Sequence, residues 1–165
     1  MRYIGSDAED LRWALKAAIK SDTFSTKLRE VWLRKGGTEP RTVVEVYRSQ
    51  VARHDGYPCC EIDVTIGRNT DNRNDHIDLQ YEVHLYWHDK HDNEEELEDF
   101  ISRYLTAARE FFMENPFLDG IDNPPIIVTD DQFSPFVPEG VYDGRPLLKS
   151  GLTIILVEVL RNGRP

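Results

Sequence analysis

His84, His88 and His91, with Asp89 and Asp92, are the residues of this chain whose types best suit metal ligation. Imidazole and carboxylate hold zinc-class ions at about 2 Å. Spacing tests the idea. Residues 78–88 alternate apolar and polar, so His84 and His88 share one face of a strand. Four residues along a strand is ~13 Å, too far for one ion without a bend. The tighter group His88, Asp89, His91 and Asp92 borders the polar run 89–93, which reads as a strand-to-helix turn. A solvated turn explains that group without an ion, and no cofactor is expected.

Other candidate chemistry is thinner still. Asp130 and Asp131, with Glu139 and Asp143, resemble carboxylates that could gather a divalent cation. Acids in a loop are more often simply solvated. No glycine-rich phosphate loop and no nucleophile elbow is present. Cys59 and Cys60 are adjacent, so on a strand they point to opposite faces; that disfavours a disulfide between them and matches no zinc or redox spacing. Glu94, Glu95 and Glu96 are better explained as charge at a helix N-terminus than as catalysts. An enzyme is therefore not expected, and a hydrolytic one is the least supported alternative.

The elements that would position these residues are clearer than the chemistry. Leu79, Tyr81, Val83, Leu85 and Trp87 alternate with Gln80, Glu82, His84 and His88, the period of a half-buried strand over 77–88. Leu97, Phe100, Ile101, Tyr104, Leu105, Ala108, Phe111 and Phe112 then recur at helical steps. Asp92 or Asn93 can cap this helix, and Asn115-Pro116 ends it. Upstream, Ser6 or Asp7 caps a helix with Leu11, Ala14, Leu15, Ala18 and Ile19 on one side. A second stripe, Phe24, Leu28, Val31 and Trp32, stops at Gly36-Gly37. Residues 38–54 fit helix or strand, and helix is favoured because no turn signal interrupts 48–53. Residues 59–66 alternate as a strand. The polar stretch 67–75 reads as a long mobile hairpin loop. A strand begins at 126–128, 130–145 is irregular, and 147–160 is the last strand. Within it, 152–157 is apolar on both faces except for Thr153, which predicts a central strand or an outer face covered by another subunit.

These elements predict an α+β fold: a mostly antiparallel sheet of about four strands (59–66, 77–88, 126–128, 147–160) with the long helix, 94–114, across one face. The 165 residues suffice for a single domain, with an N-terminal helical region (1–56), the sheet and long helix (57–162) and a basic tail (163–165). The net charge of −10 argues against tight binding to nucleic acid or to anionic membranes. No apolar run is long enough to span a bilayer, and no signal-peptide pattern opens the chain, so a reduced cytosolic setting is expected.

The order of elements resembles the tail terminator proteins of long-tailed bacteriophages, also called tail completion or tail-to-head joining proteins. The likeness covers roughly residues 57–162. It is carried by the hairpin, the long helix, the Leu118-Asp119-Gly120 turn, the short strand 126–128, the aromatic, proline-bearing loop and the apolar last strand. The resemblance implies a non-enzymatic virion protein of the tail or neck, assembled in the host cytoplasm. It implies a homo-oligomeric ring, usually a hexamer, that caps the tail tube protein, meets the head-completion or connector protein, and lets DNA pass through its lumen without specific binding. Two alternatives remain: another phage neck or head–tail connector protein, and an acidic immunity or inhibitor-type protein using Asp78, Gln80 and Glu82 against a basic partner.

Contacts to subunits or partners are expected at Arg68, Asn69, Asp71, Asn72 and Arg73 of the polar loop, where two arginines break an acidic surface. Phe133 and Phe136 are expected to join them, because aromatic residues in a turn-rich segment need something to pack on.

Overall fold

The computed structural model describes residues 7–65, 68–71, 78–133, 137–138 and 146–159. Among these residues, three helices lie on one face of a mixed, mostly antiparallel sheet, an α+β architecture. The helices are α1 (Ala8–Ile19), α2 (Asp22–Arg34) and α3 (Glu94–Glu114). The strands are β1 (Glu45–Tyr47), β2 (Cys59–Val64), β3 (Arg68–Asp71), β4 (Asp78–His91), β5 (Ile127–Phe133), β6 (Val137–Pro138) and β7 (Leu147–Val159). The main order is β1-β2-β4-β7-β5, with β3 beside β4 and β6 beside β7. Among the described residues only the β1–β2 pair is parallel. No helix among the described residues is long and apolar enough to cross a membrane.

Each helix starts and stops where its sequence provides donors and acceptors. Asp7 and Asp10 form a reciprocal capping box on α1. Ser21 caps α2 by accepting from the Phe24 N–H at 3.2 Å. Gly36 ends α2 with φ +86°, while the Gly36 and Gly37 N–H groups reach back to the Leu33 and Trp32 carbonyls. This wrap satisfies two orphan carbonyls and favours a residue without a Cβ. Asn93, of the two candidates, caps α3 by accepting from the Glu96 N–H.

The core lies between the helices and the inner sheet face. Trp87 stacks on Phe24 at 5.6 Å between ring centres and on Tyr104 at 6.4 Å. Its indole N–H donates to Thr153 Oγ1 at 3.1 Å, so the buried Thr153 hydroxyl has a partner. Gly151 lets α3 approach β7 closely: a Cβ there would sit 2.7 Å from Ile101.

Four expectations need correction. Residues 38–54 are not helical; Glu45–Tyr47 is a strand parallel to β2, because a β-branched run beside an open sheet edge gains a ladder as well as burial of Val46. The polar stretch is not wholly loop: Arg68–Asp71 pairs with the start of β4, which extends beyond its ladder with β2. Residues 89–91 belong to β4 rather than to a turn, since their backbone pairs with 147–149 of β7. The strand begun near residue 126 continues to Phe133 past a bulge between Val128 and Asp130.

Candidate functional site

The outer face of the sheet carries the candidate site. Successive residues of β4 alternate faces, so Tyr81, Val83, Leu85, Trp87 and Asp89 enter the core while Glu82, His84, Tyr86, His88 and Lys90 face outward. The register sets Cys59 beside His88 and Glu61 beside Tyr86. Glu61 is thus the diagonal neighbour of His88 on the outer face. The connection 48–58 between β1 and β2 runs over this corner. It is fastened where the Val51 N–H donates to Glu61 Oε2 at 2.6 Å and Gln50 Nε2 donates to Asp63 at 3.1 Å.

This strap delivers His54 to the other two residues. One ligand atom each from His54, Glu61 and His88 lies within 4.8 Å of the other two. His88 Nε2 hydrogen-bonds Glu61 Oε1, and His54 Nε2 stands 3.3 Å from the same oxygen. The far nitrogens are anchored too. His88 Nδ1 is 2.5 Å from Ser150 Oγ on β7, and His54 Nδ1 is 2.9 Å from the Tyr57 hydroxyl. The two imidazoles lie 4.6 Å apart between ring centres, and Tyr86 stacks on His88 at 6.4 Å. The side chains of His54, Glu61 and His88 keep only 13, 7 and 12% of their surface. Burial holds the His88 imidazole below its ordinary value of 6.5, against the opposing pull of Glu61. Burial also pushes the neighbouring Cys59 thiol up to about 12 and Cys60 well above its ordinary range, so both cysteines are free, buried and protonated at neutral pH.

The inner face holds a second polar cluster. Asp89, fully buried, accepts from Arg41 Nε at 2.7 Å, from Arg41 Nη2 at 2.6 Å and from the Tyr104 hydroxyl at 2.7 Å. The Lys90 N–H adds a fourth bond at 2.8 Å. Burial, then Asp89, raises the Tyr104 hydroxyl well above its usual range, which keeps it a donor.

The residues singled out from sequence fall elsewhere. His84 is held by Glu82 at 2.8 Å and Tyr86 at 3.3 Å, and it stands outside the His54–Glu61–His88 group. The group His88, Asp89, His91 and Asp92, weighed above as a chelating set and set aside, is not assembled, because β4 sends His88 and Asp89 to opposite faces. Asp131 is paired with Arg109 of α3; Glu139 and Asp143 lie outside the described residues. Arg68, Asn69 and Asp71 sit on β3, while Phe133 ends β5 opposite Gly151. Leu79, the partner of Asn69, faces Val159. The two groups are therefore eight residues apart along β7, roughly 27 Å, and the fold does not bring them together. Asn72, Arg73 and Phe136 lie outside the described residues.

Sequence reading missed His54 and Glu61 as site residues. His54 stood at the end of the ambiguous stretch 38–54, where a turn begins, and Glu61 on the wet side of a strand. The alternation of 59–66 was the one usable signal, since it sets Glu61 on the polar side of the hairpin that also carries His88.

No protein-family model matches the chain, and no curated protein matches it significantly.

Proposed function

We propose that the chain is a non-enzymatic structural protein of the neck of a long-tailed bacteriophage. It closes a ring on the end of the tail tube and joins the tube to the head-completion proteins. The observation that supports this most is the uneven cover of β7. Among the described residues this strand lies mid-sheet with helices on its inner face only, yet Leu148, Leu152, Ile154 and Leu156 line its outer face half-buried, and Ile127 on β5 is 57% exposed beside them. Apolar surface in that position suits contact between subunits of a ring. β5 ends the strand order among the described residues, and a terminal strand suits such contact. A net charge of −10 suits a wall past which DNA slides, because it repels phosphates.

The test is native mass spectrometry and negative-stain imaging of the purified protein, alone and mixed with tail tubes. Closed rings and capped tubes that no longer elongate are expected. A strictly monomeric protein at millimolar concentration that leaves tubes uncapped overturns the proposal.

A further inference from the structure

The geometry points to a binding site for one divalent transition-metal ion of the zinc class, held by His54 Nε2, Glu61 Oε1 and His88 Nε2. Two imidazoles and a carboxylate are a donor set that zinc accepts, with a fourth position left for water. Ligands at about 2.0–2.1 Å in a tetrahedral arrangement lie about 3.3 Å from one another. His54 Nε2 and Glu61 Oε1 already stand at 3.3 Å, and all three donor atoms fit within 4.8 Å. Small shifts of His88 complete the arrangement.

The surroundings match what a ligated imidazole needs. Each histidine has its remote nitrogen on a hydroxyl, His54 on Tyr57 and His88 on Ser150. Such partners fix ring orientation and keep the coordinating nitrogen aimed inward. Glu61 Oε2 is held by the Val51 N–H, which leaves Oε1 to face the histidines. Three elements supply the ligands, the strap (48–58), β2 and β4, so an ion would pin the strap to the sheet.

Hydrogen bonding alone leaves the cluster incomplete. His54 Nε2 is buried without a hydrogen-bond partner, although Glu61 Oε1 is 3.3 Å away. A buried nitrogen beside a buried carboxylate with no proton shared between them is costly. One cation serves both lone pairs at once. On binding, the proton that His88 Nε2 donates to Glu61 moves to Nδ1, and Ser150 Oγ turns to accept it. The imidazole stays neutral, and no redox partner is needed.

The experiment uses the full chain without a tag, stripped with a chelator and titrated with Zn²⁺ by calorimetry, then with Co²⁺ by visible absorption. One equivalent should bind with a Kd of about 1 µM or tighter. Glu61→Gln and His54→Ala should each weaken binding at least about a hundredfold, and Ser150→Ala, in the outer shell, about ten- to a hundredfold. His84→Ala should leave it unchanged. Because His54 lies on the strap and Glu61→Gln is isosteric, metal-free melting curves establish that both variants fold. A second readout is trypsin cleavage after the exposed Arg53, which Zn²⁺ should slow in the parent chain and not in His54→Ala. No saturable binding below roughly 100 µM Zn²⁺ overturns the assignment. So does binding that His54→Ala and Glu61→Gln leave intact.

Discussion

His88 and Asp89 are neighbours on β4, and each sends its side chain into a buried polar cluster on a different face of the sheet. On the inner face, Asp89 meets a forked guanidinium, a phenol and a backbone N–H. Its charge is matched by a group that stays protonated at any physiological pH. On the outer face, Glu61 meets two imidazoles, whose charge depends on protons, and one nitrogen is left unbonded. The inner cluster is closed and structural. The outer one is built from the same kinds of atoms and is unfinished. Burial alone therefore does not separate the two clusters; the unbonded His54 nitrogen does.

The widest contrast between the two faces comes from placing a charge on each. Leu105→Asp puts a carboxylate in the α3–β7 core, where the side chain is 3% exposed, and should cost more than about 4 kcal/mol, leaving the chain unfolded at room temperature. Ile154→Asp on the outer face of β7 should cost only about 1 kcal/mol and still melt cooperatively, because the new charge reaches water. Circular dichroism melts decide this. Equal losses at both positions would mean that the outer face is as closed as the inner one.

Arg41→Ala comes next. It strands the Asp89 carboxylate with one phenol and a backbone N–H, and should cost roughly 3 kcal/mol. That is the low end for breaking a buried pair, because Arg41 itself is one third exposed. For a domain of this size the melting temperature should fall by roughly 10 °C. Adding Asp89→Asn should recover part of the loss by removing the unpaired charge. A double variant no better than Arg41→Ala would show that guanidinium packing over Phe100, 5.2 Å away, matters more than the charge.

Tyr104→Phe removes one donor to Asp89 while the guanidinium remains. About 1 kcal/mol should be lost in urea unfolding. A loss above about 3 kcal/mol would mean that the phenol, and not Arg41, is the main partner.

Glu61→Gln is the smallest expected effect on the metal-free chain, within about 1 kcal/mol of the parent in the same assay. The amide can still accept from the Val51 N–H and can donate to the unbonded His54 nitrogen. A large loss here would place Glu61 with Asp89 as a structural carboxylate and erase the contrast.

Local physics made much of the fold legible. The stripes Leu11–Leu15–Ile19 and Phe24–Leu28–Val31–Trp32, the alternation through Trp87 and the stripe through Phe112 set helix faces and strand faces by period alone, and all of them enter the core. Caps and stops at Asp7, Asn93 and Gly36-Gly37 were readable because they need only adjacent atoms. Tertiary structure decided the rest. Whether 38–54 formed helix or strand depended on the free edge of β2, which no local pattern describes. Asp89 looked like a turn residue because its partners, Arg41 and Tyr104, are 48 and 15 residues away. The His54–Glu61–His88 group depended on strand register and on where the strap crosses the sheet. Register is a property of two strands together, and a turn residue acquires a chemical role only when the chain folds it against them.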